Sequence, residues 1–275
     1  MDQGSLQALV GAPYELKLAR LDACLRGLES VLVAFSAGVD STVLLHAAHR
    51  VLGERARGFI ADSPSLPRAE LSEARELAAA MGCELEVVKT NELETESYAV
   101  NSSMRCYFCK EALFGAMSRR QEELGFRAMA FGEVMDDLTD DRPGAQAAAE
   151  AGVSAPLSEA GFTKEDVRRY AREHSLGVED KPSSACLSSR IPRGTRVTRA
   201  RLSQVEAAEA RLKALGIKQL RVRHLGTRAR VEVGAGEEEF ARVHRARLEE
   251  ALEAEGFPWT EWGVYKAPGG IPSSV

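Results

Sequence analysis

The part of this chain best suited to chemistry begins where a run of apolar residues stops. Residues 31–35 are apolar, and the turn sequence SAGVDS of residues 36–41 follows them directly. Apolar positions then recur at helical spacing. A buried strand, a turn of small residues and a helix together present unpaired backbone N–H groups at the helix N-terminus. The stretch therefore predicts a binding site for a phosphate group.

Each polar residue of this turn has a predicted task. Gly38 lets a ligand approach the backbone closely, and the hydroxyls of Ser36 and Ser41 can donate hydrogen bonds. Asp40 would repel a bare phosphate, so we expect it to bind a metal ion, Mg²⁺, or an oriented N–H group. The turn lacks the Gly-Lys-Ser/Thr ending of a Walker A loop. An ordinary turn with a capping serine is the alternative.

A second reactive stretch lies at residues 180–194, which read DKPSSACLSSRIPRG. It has few core-forming residues and many hydroxyls and cations. Cys186 lies near Lys181, Arg190 and Arg193 in sequence, and cations close to a thiol lower its pKa. Because a thiolate is both a nucleophile and a metal ligand, Cys186 is predicted to be functional.

The chain has five cysteines, an odd number that argues against a disulfide framework. Cys24 and Cys83 lie in apolar surroundings and are predicted to pack in the core. Cys106 and Cys109 form a Cys-x-x-Cys in the sequence RCYFCK. Together with Cys186 they could hold an iron–sulfur cluster with one open iron, or a zinc ion. Alternatively, the pair could simply pack beside its aromatic neighbours.

Composition places the chain among globular proteins. The net charge is −5, from 36 basic and 41 acidic residues, so it exerts no overall attraction on nucleic acid. No apolar run is long enough to span a membrane, and the first residues lack a signal-peptide pattern. We therefore expect a cytoplasmic protein with no membrane partner.

Strand and helix patterns alternate through the first part of the chain, which predicts an α/β fold with a doubly wound parallel sheet. Ligands of such sheets bind beyond the carboxyl ends of the strands. Ser36, Asp62, Ser63 and Gly132 all follow predicted strands. We expect these four residues to lie at one rim and to contact a nucleotide.

The pattern changes near residue 190 to helix, strand, strand, helix, strand, with the second helix predicted over residues 237–255. This order indicates a smaller α+β domain, so we divide the chain into domains 1–190 and 191–275. Arg221 and Arg223 alternate with apolar residues and are predicted to share one face of a strand. Paired guanidinium groups suit a phosphate, whereas a solvated strand face is the alternative.

A resemblance that runs from about residue 16 to residue 233 rests on seven motifs, which read SAGVDS, ADSPSLPRAEL, RCYFCK, DDLTDDRPG, SAPLSEAGFTKEDVR, DKPSSACLSSRIPRG and RVRHLGTRARVEV. Together they resemble the LarE family, ATP-dependent sulfur transferases that help to build the nickel-pincer nucleotide cofactor of lactate racemase. The resemblance implies a PP-loop domain, of the adenine nucleotide alpha hydrolase-like fold, followed by a smaller domain for substrate binding or oligomerisation. The chain departs from the family's usual loop in having Ala37 where Gly is common.

The resemblance also implies roles for individual residues. ATP adenylylates the carboxylates of pyridinium-3,5-biscarboxylic acid mononucleotide, and sulfur then replaces the activated oxygen. The loop residues contact the phosphates of ATP, and Cys186 is the sulfur site. The substrate phosphate is implied to contact Ser189, Arg190, Arg221 and Arg223, with Glu209 as a weaker candidate.

The family implies two sources of sulfur. In some members a lone cysteine gives up its own sulfur and becomes dehydroalanine, whereas in others three cysteines hold a 4Fe–4S cluster that carries an extra sulfide. Because this chain has Cys106, Cys109 and Cys186, we favour the cluster and an external sulfide source. We also expect a homo-oligomer, with the smaller second domain as the site of subunit contact. The alternative functions are a PP-loop tRNA thiolase and an adenine-nucleotide-binding regulator without catalysis.

Overall fold

The computed structural model describes residues 9–139, 143–182 and 184–265, which divide into two compact units. The first contains the described residues up to 92 and from 104 to 184, and the second contains residues 93–103 and 185–265. The domain division at residue 190 stays a prediction, because compact packing units need not coincide with the segments that fold independently.

The helices and strands of the first unit are α1 (Tyr14–Leu28), β1 (Val31–Ala34), α2 (Val39–Leu52), β2 (Ala56–Asp62), α3 (Arg68–Ala80), β3 (Leu85–Lys89), α5 (Arg105–Leu124), β4 (Ala128–Phe131), α6 (Pro143–Glu150), α7 (Pro156–Glu159) and α8 (Lys164–Glu173). Those of the second unit are α4 (Glu96–Ala99), α9 (Arg199–Ala214), β5 (Leu220–Leu225), β6 (Arg228–Val233), α10 (Glu238–Val243), α11 (Arg245–Ala254) and β7 (Trp259–Val264). Within the described residues, no helix is long and apolar enough to cross a bilayer.

The first unit is built on a parallel sheet in the order β3-β2-β1-β4. Alternate residues of β1 enter two different cores, because side chains alternate across a strand. Val31 and Val33 pack with α1, α2, α3 and α8, whereas Leu32 and Ala34 pack with α5 and α6. Helices therefore cover both faces, which confirms the doubly wound α/β fold. This arrangement puts the turn after β1 at the carboxyl edge of the sheet.

The second unit contains a three-stranded sheet in which β6 pairs antiparallel with β5 and parallel with β7. Leu220 and Val222 point into its core, with Leu212 of α9 and Leu248 of α11 also fully or almost fully buried. The predicted order of elements is confirmed, but the single helix predicted over residues 237–255 is wrong. The chain leaves helical geometry at His244, whose ψ of 13° ends α10 and begins α11.

Candidate functional site

The turn between β1 and α2 is held by its own hydroxyl groups. The Ser41 hydroxyl accepts a hydrogen bond from the Ser36 backbone N–H at 3.1 Å and donates one to the Gly38 carbonyl at 3.1 Å. Thr42 donates to the same carbonyl at 2.8 Å. Gly38 is the N-cap of α2 and offers no side chain to the first N–H groups of the helix. The free N–H groups and the +½ charge of the helix dipole make this end attractive to an anion.

A cavity of about 140 Å³ opens beside this turn. Its polar lining combines five residues predicted from the sequence with one that was not, Lys110, and its apolar wall is formed mainly by aromatic rings. The polar residues are Ser36, Gly38, Asp40, Ser41, Gly132 and Lys110, and the rings are those of Phe35, Phe59 and Phe131. The structure thus brings most of the predicted nucleotide-binding residues of the first unit to one place.

One carboxylate oxygen of Asp40 accepts a hydrogen bond, and the other has no partner among the described residues. Its Oδ2 atom accepts a hydrogen bond from Lys164 Nζ at 2.5 Å, while Oδ1 is buried and has no hydrogen-bond partner among the described residues. Burial raises the pKa of Asp40, and the Lys164 ammonium opposes that rise. A buried and unpaired carboxylate oxygen needs a cation or a donor. The chemistry of this group therefore fits a bound Mg²⁺.

Three lysines near the turn were not singled out as ligands by sequence reasoning. Lys164 begins α8 after the Thr163 capping box and reaches Asp40 across 124 residues of chain. The Lys181 ammonium donates to the backbone carbonyl of Ala37 at 2.9 Å. Burial lowers the pKa of Lys110, whereas the charges of Cys109 and Cys106 raise it. Each of the three lies in a sequence motif, and Lys181 was noted only as a cation close to Cys186.

Asp62 and Ser63 lie at the end of β2 but do not line this cavity. Asp62 forms an ion pair with Arg68. The buried hydroxyl of Ser63 donates to Glu92 at 2.6 Å. Their predicted contacts with a nucleotide stay predictions. Four aspartates follow β4. Asp136 accepts the backbone N–H of Lys164 at 2.9 Å and Asp137 accepts that of Val134 at 3.2 Å, while those at positions 140 and 141 lie outside the described residues.

None of the five cysteines forms a disulfide, and they differ in their surroundings. Cys24 and Cys83 have pKa values raised by burial, to about 11 for Cys83. Cys106 is exposed and Cys109 is half-buried in the first turn of α5. Cys186 is half-buried and precedes a 3₁₀ turn, Leu187–Arg190. Among the described residues, no three His, Cys, Asp or Glu side chains are grouped as metal ligands.

Arg190 holds the turn that contains Cys186. Its guanidinium is buried and forms two hydrogen bonds with Glu209, at 2.9 and 3.2 Å. The third nitrogen donates to the carbonyl of Cys186 at 3.2 Å and also contacts that of Ala185. The Ser189 hydroxyl lies 3.2 Å from the same nitrogen. The conformation at Cys186 therefore depends on a buried ion pair.

Arg221 and Arg223 share the more exposed face of β5, as predicted. Arg223 donates to Glu232 at 2.9 and 3.1 Å and to the Ser189 carbonyl at 3.0 Å. The Arg221 guanidinium instead lies 4.1 Å from the centre of the Tyr265 ring, a cation–π contact.

The electrostatics around Arg221 favour an anion. Burial lowers the pKa of Arg221, and so do the charges of Arg190 and Arg223, whereas Tyr265 and Glu209 raise it. Within the part of the chain that the structure describes, Arg221 has no ion pair, whereas Arg190 is paired with Glu209 and Arg223 with Glu232. Of the arginine cluster formed by Arg190, Arg221 and Arg223, only Arg221 therefore has no carboxylate partner among the described residues.

Comparison with known proteins identifies the family, although no protein-family model matches the chain. The chain is 34% identical over 247 residues to the pyridinium-3,5-bisthiocarboxylic acid mononucleotide synthase of Lactiplantibacillus plantarum, which covers 90% of each protein. The chain belongs to the LarE family. An uncharacterised protein of Synechocystis is 41% identical over 80% of this LarE-family chain and 82% of its own length. One of Methanocaldococcus jannaschii is 26% identical over 74% of the chain and 78% of its own length.

Gly132 provides a test of this site. A Cβ atom at Gly132 would lie 2.9 Å from backbone atoms of both Asp40 and Ser41, which cannot move without displacing the start of α2. We expect Gly132→Ala to weaken the binding of ATP by about tenfold or more, measured by calorimetry. Gly27→Ala is the matched control, because a Cβ at Gly27 meets nothing within 4 Å. Equal affinities of the two variants would contradict the proposed role of this contact.

Proposed function

We propose that this protein is an ATP-dependent sulfur transferase that converts the carboxylates of pyridinium-3,5-biscarboxylic acid mononucleotide to thiocarboxylates. Membership of the LarE family, through the L. plantarum synthase, is the observation that carries this proposal. The cavity at the turn after β1 and the free charge of Arg221 support it independently, since the reaction needs a nucleotide site and a site for the substrate phosphate.

The first step activates a carboxylate, which is a poor electrophile by itself. A substrate carboxylate oxygen attacks the α-phosphorus of ATP, a P–O bond forms, and the bond to pyrophosphate breaks. The N–H groups at the start of α2 and the hydroxyls of Ser36 and Ser41 stabilise the departing negative charge. Asp40 would hold Mg²⁺, which supplies further charge neutralisation when bound. The product is an acyl adenylate with AMP as its leaving group.

The second step brings sulfur to the activated carbonyl carbon, with loss of AMP. We propose that Cys106, Cys109 and Cys186 hold a 4Fe–4S cluster, which would supply a sulfide carried on its open iron. These three thiols lie outside the buried core, and thiolates are the ligands that such a cluster requires. The alternative is attack by the Cys186 thiolate to form a thioester. Cleavage of its Cβ–Sγ bond and loss of the Cα proton would then release the thiocarboxylate and leave dehydroalanine.

We assign the phosphate of the mononucleotide to the arginine cluster of the second unit. Arg221 is the cation of this cluster that has no ion pair among the described residues, and its planar guanidinium suits a phosphate. Arg223 ties the backbone of Ser189 to β5, and Arg190 fixes the turn at Cys186. Both can therefore keep a phosphate site and the cysteine turn in one fixed relation.

Two other functions compete with this proposal. A PP-loop tRNA thiolase would use the same loop and cysteines, but the net charge of −5 gives no general attraction to RNA. A regulator that only binds an adenine nucleotide would leave the turn at Cys186 without a purpose. We further propose a cytoplasmic homo-oligomer supplied with external sulfide. Five cysteines without a disulfide fit a reducing compartment.

The products of ATP test the first step. We expect turnover to release AMP and pyrophosphate, and Asp40→Asn to slow pyrophosphate release about a hundredfold or more, because the variant keeps the shape but loses the charge. Quantitative nucleotide chromatography and a pyrophosphate assay measure both products. Formation of ADP and inorganic phosphate would refute the PP-loop chemistry. Tight, strongly salt-dependent binding of tRNA would instead favour the thiolase.

The role of Arg221 can be separated from ATP binding. We expect Arg221→Ala to weaken binding of the mononucleotide by about tenfold to a hundredfold, the range for a charge-assisted contact, while ATP affinity is unchanged. Tyr265→Phe should keep most of the affinity, and Tyr265→Leu should lose part of it, because only the aromatic face supports the guanidinium. Arg228→Ala, on the adjacent strand, is the control. Equal loss of both ligands in Arg221→Ala would indicate misfolding or a different site.

Chemical analysis decides the source of sulfur. We expect anaerobically purified protein to contain about four iron atoms per chain, and Cys106→Ser and Cys109→Ser to lose them. Cys83→Ser, a change in the core outside the proposed ligands, should retain iron. On this proposal the intact mass of the polypeptide is unchanged after turnover. A protein without iron that loses the mass of one hydrogen sulfide per thiocarboxylate formed would show instead that Cys186 is consumed.

A further inference from the structure

The turn of residues 36–41, called here the phosphate-binding turn, contains a residue in an unfavourable conformation. Ala37 has a φ of +54°, in the left-handed region that only glycine adopts readily, and its side chain is fully buried. Most non-glycine residues in this region need support from their surroundings. The methyl group of Ala37 packs in the core of the first unit, but packing of a methyl does not by itself fix the direction of the carbonyl.

The support comes from a lysine far away in the chain. Lys181 Nζ donates a hydrogen bond to the Ala37 carbonyl at 2.9 Å, across 144 residues of sequence. We propose that Lys181 is a positioning residue that holds the turn in its binding conformation through this carbonyl. A hydrogen bond from an ammonium is stronger than one from a neutral donor, so it can offset the cost of the left-handed conformation.

Lys181 is itself fixed in place. Its backbone N–H donates to the carbonyl of Val178 at 3.0 Å, and the Val178 side chain is buried in the same core. Its ammonium also forms a 2.7 Å ion pair with Glu73 of α3, whose side chain is half-exposed. An exposed pair of this kind contributes little, so the carbonyl of Ala37 is the contact that matters.

Loss of this contact would act on the whole turn. Ala37 lies between Ser36, whose N–H is bonded to the Ser41 hydroxyl, and Gly38, the N-cap of α2. A change of backbone direction at Ala37 would move both groups relative to the helix N-terminus. This inference rests on the proposed function in one respect, namely that the turn binds the phosphates of ATP.

The test uses Lys181→Met, Ala37→Gly and the double variant. In the absence of ligand, Lys181→Met should increase the rate of amide hydrogen exchange at residues 36–41 about tenfold. This factor corresponds to the free-energy cost of the left-handed conformation for an alanine. Ala37→Gly in the same chain should restore most of the protection, because glycine adopts this conformation without support. The affinity for magnesium-ATP, measured by calorimetry, should likewise fall in Lys181→Met and recover in the double variant. Glu73→Gln is the control and should leave exchange and affinity unchanged.

The outcomes separate this inference from the proposed function. Wild-type exchange in Lys181→Met would overturn the inference, and so would an equal loss of ATP affinity with and without Ala37→Gly, because the lysine would then act on the ligand directly. A wild-type protein that does not bind magnesium-ATP would refute the proposed nucleotide site. In that case the exchange measurements would still decide the role of Lys181.

Discussion

The contact between Gly132 and the start of α2 is the constraint on which the candidate nucleotide site depends. At the end of β4 the backbone comes so close to that of Asp40 and Ser41 that only a hydrogen atom fits at Gly132. This approach brings the end of β4 against the N-terminus of α2, which follows β1 at the carboxyl edge of the sheet. Gly132, Asp40 and Ser41 line the cavity together, so its shape depends on this contact.

The charges of the first unit are arranged differently from those of the second. Around the turn after β1, the Lys164 ammonium pairs with Asp40, and the Lys181 ammonium pairs with Glu73 while it also donates to the Ala37 carbonyl. In the second unit, Arg190 forms a buried pair with Glu209, and removal of one partner of a buried pair typically costs about 3–5 kcal/mol. This pair fixes the turn at Cys186, whereas Arg221 has no ion pair among the described residues.

The cysteines show how surroundings divide one residue type between packing and chemistry. Burial raises the pKa of the Cys83 thiol to about 11, so that it remains a neutral core residue at neutral pH. Cys106 and Cys109 lie instead near the start of a helix and outside the buried core, and both raise the pKa of the neighbouring Lys110. The same residue type is therefore a hydrophobe in one place and a potential ligand or nucleophile in the other.

The sequence by itself determined the strands, most of the helices and the phosphate-binding turn. Their signals are local: apolar runs, helical spacing and small residues at a strand end lie within a few positions of one another. Only the tertiary structure decided that Lys164 pairs with Asp40, that Lys181 bonds to Ala37 and that Tyr265 supports Arg221. These partners lie from 44 to 144 positions apart in the sequence, and no local pattern records which distant side chain the fold brings into contact.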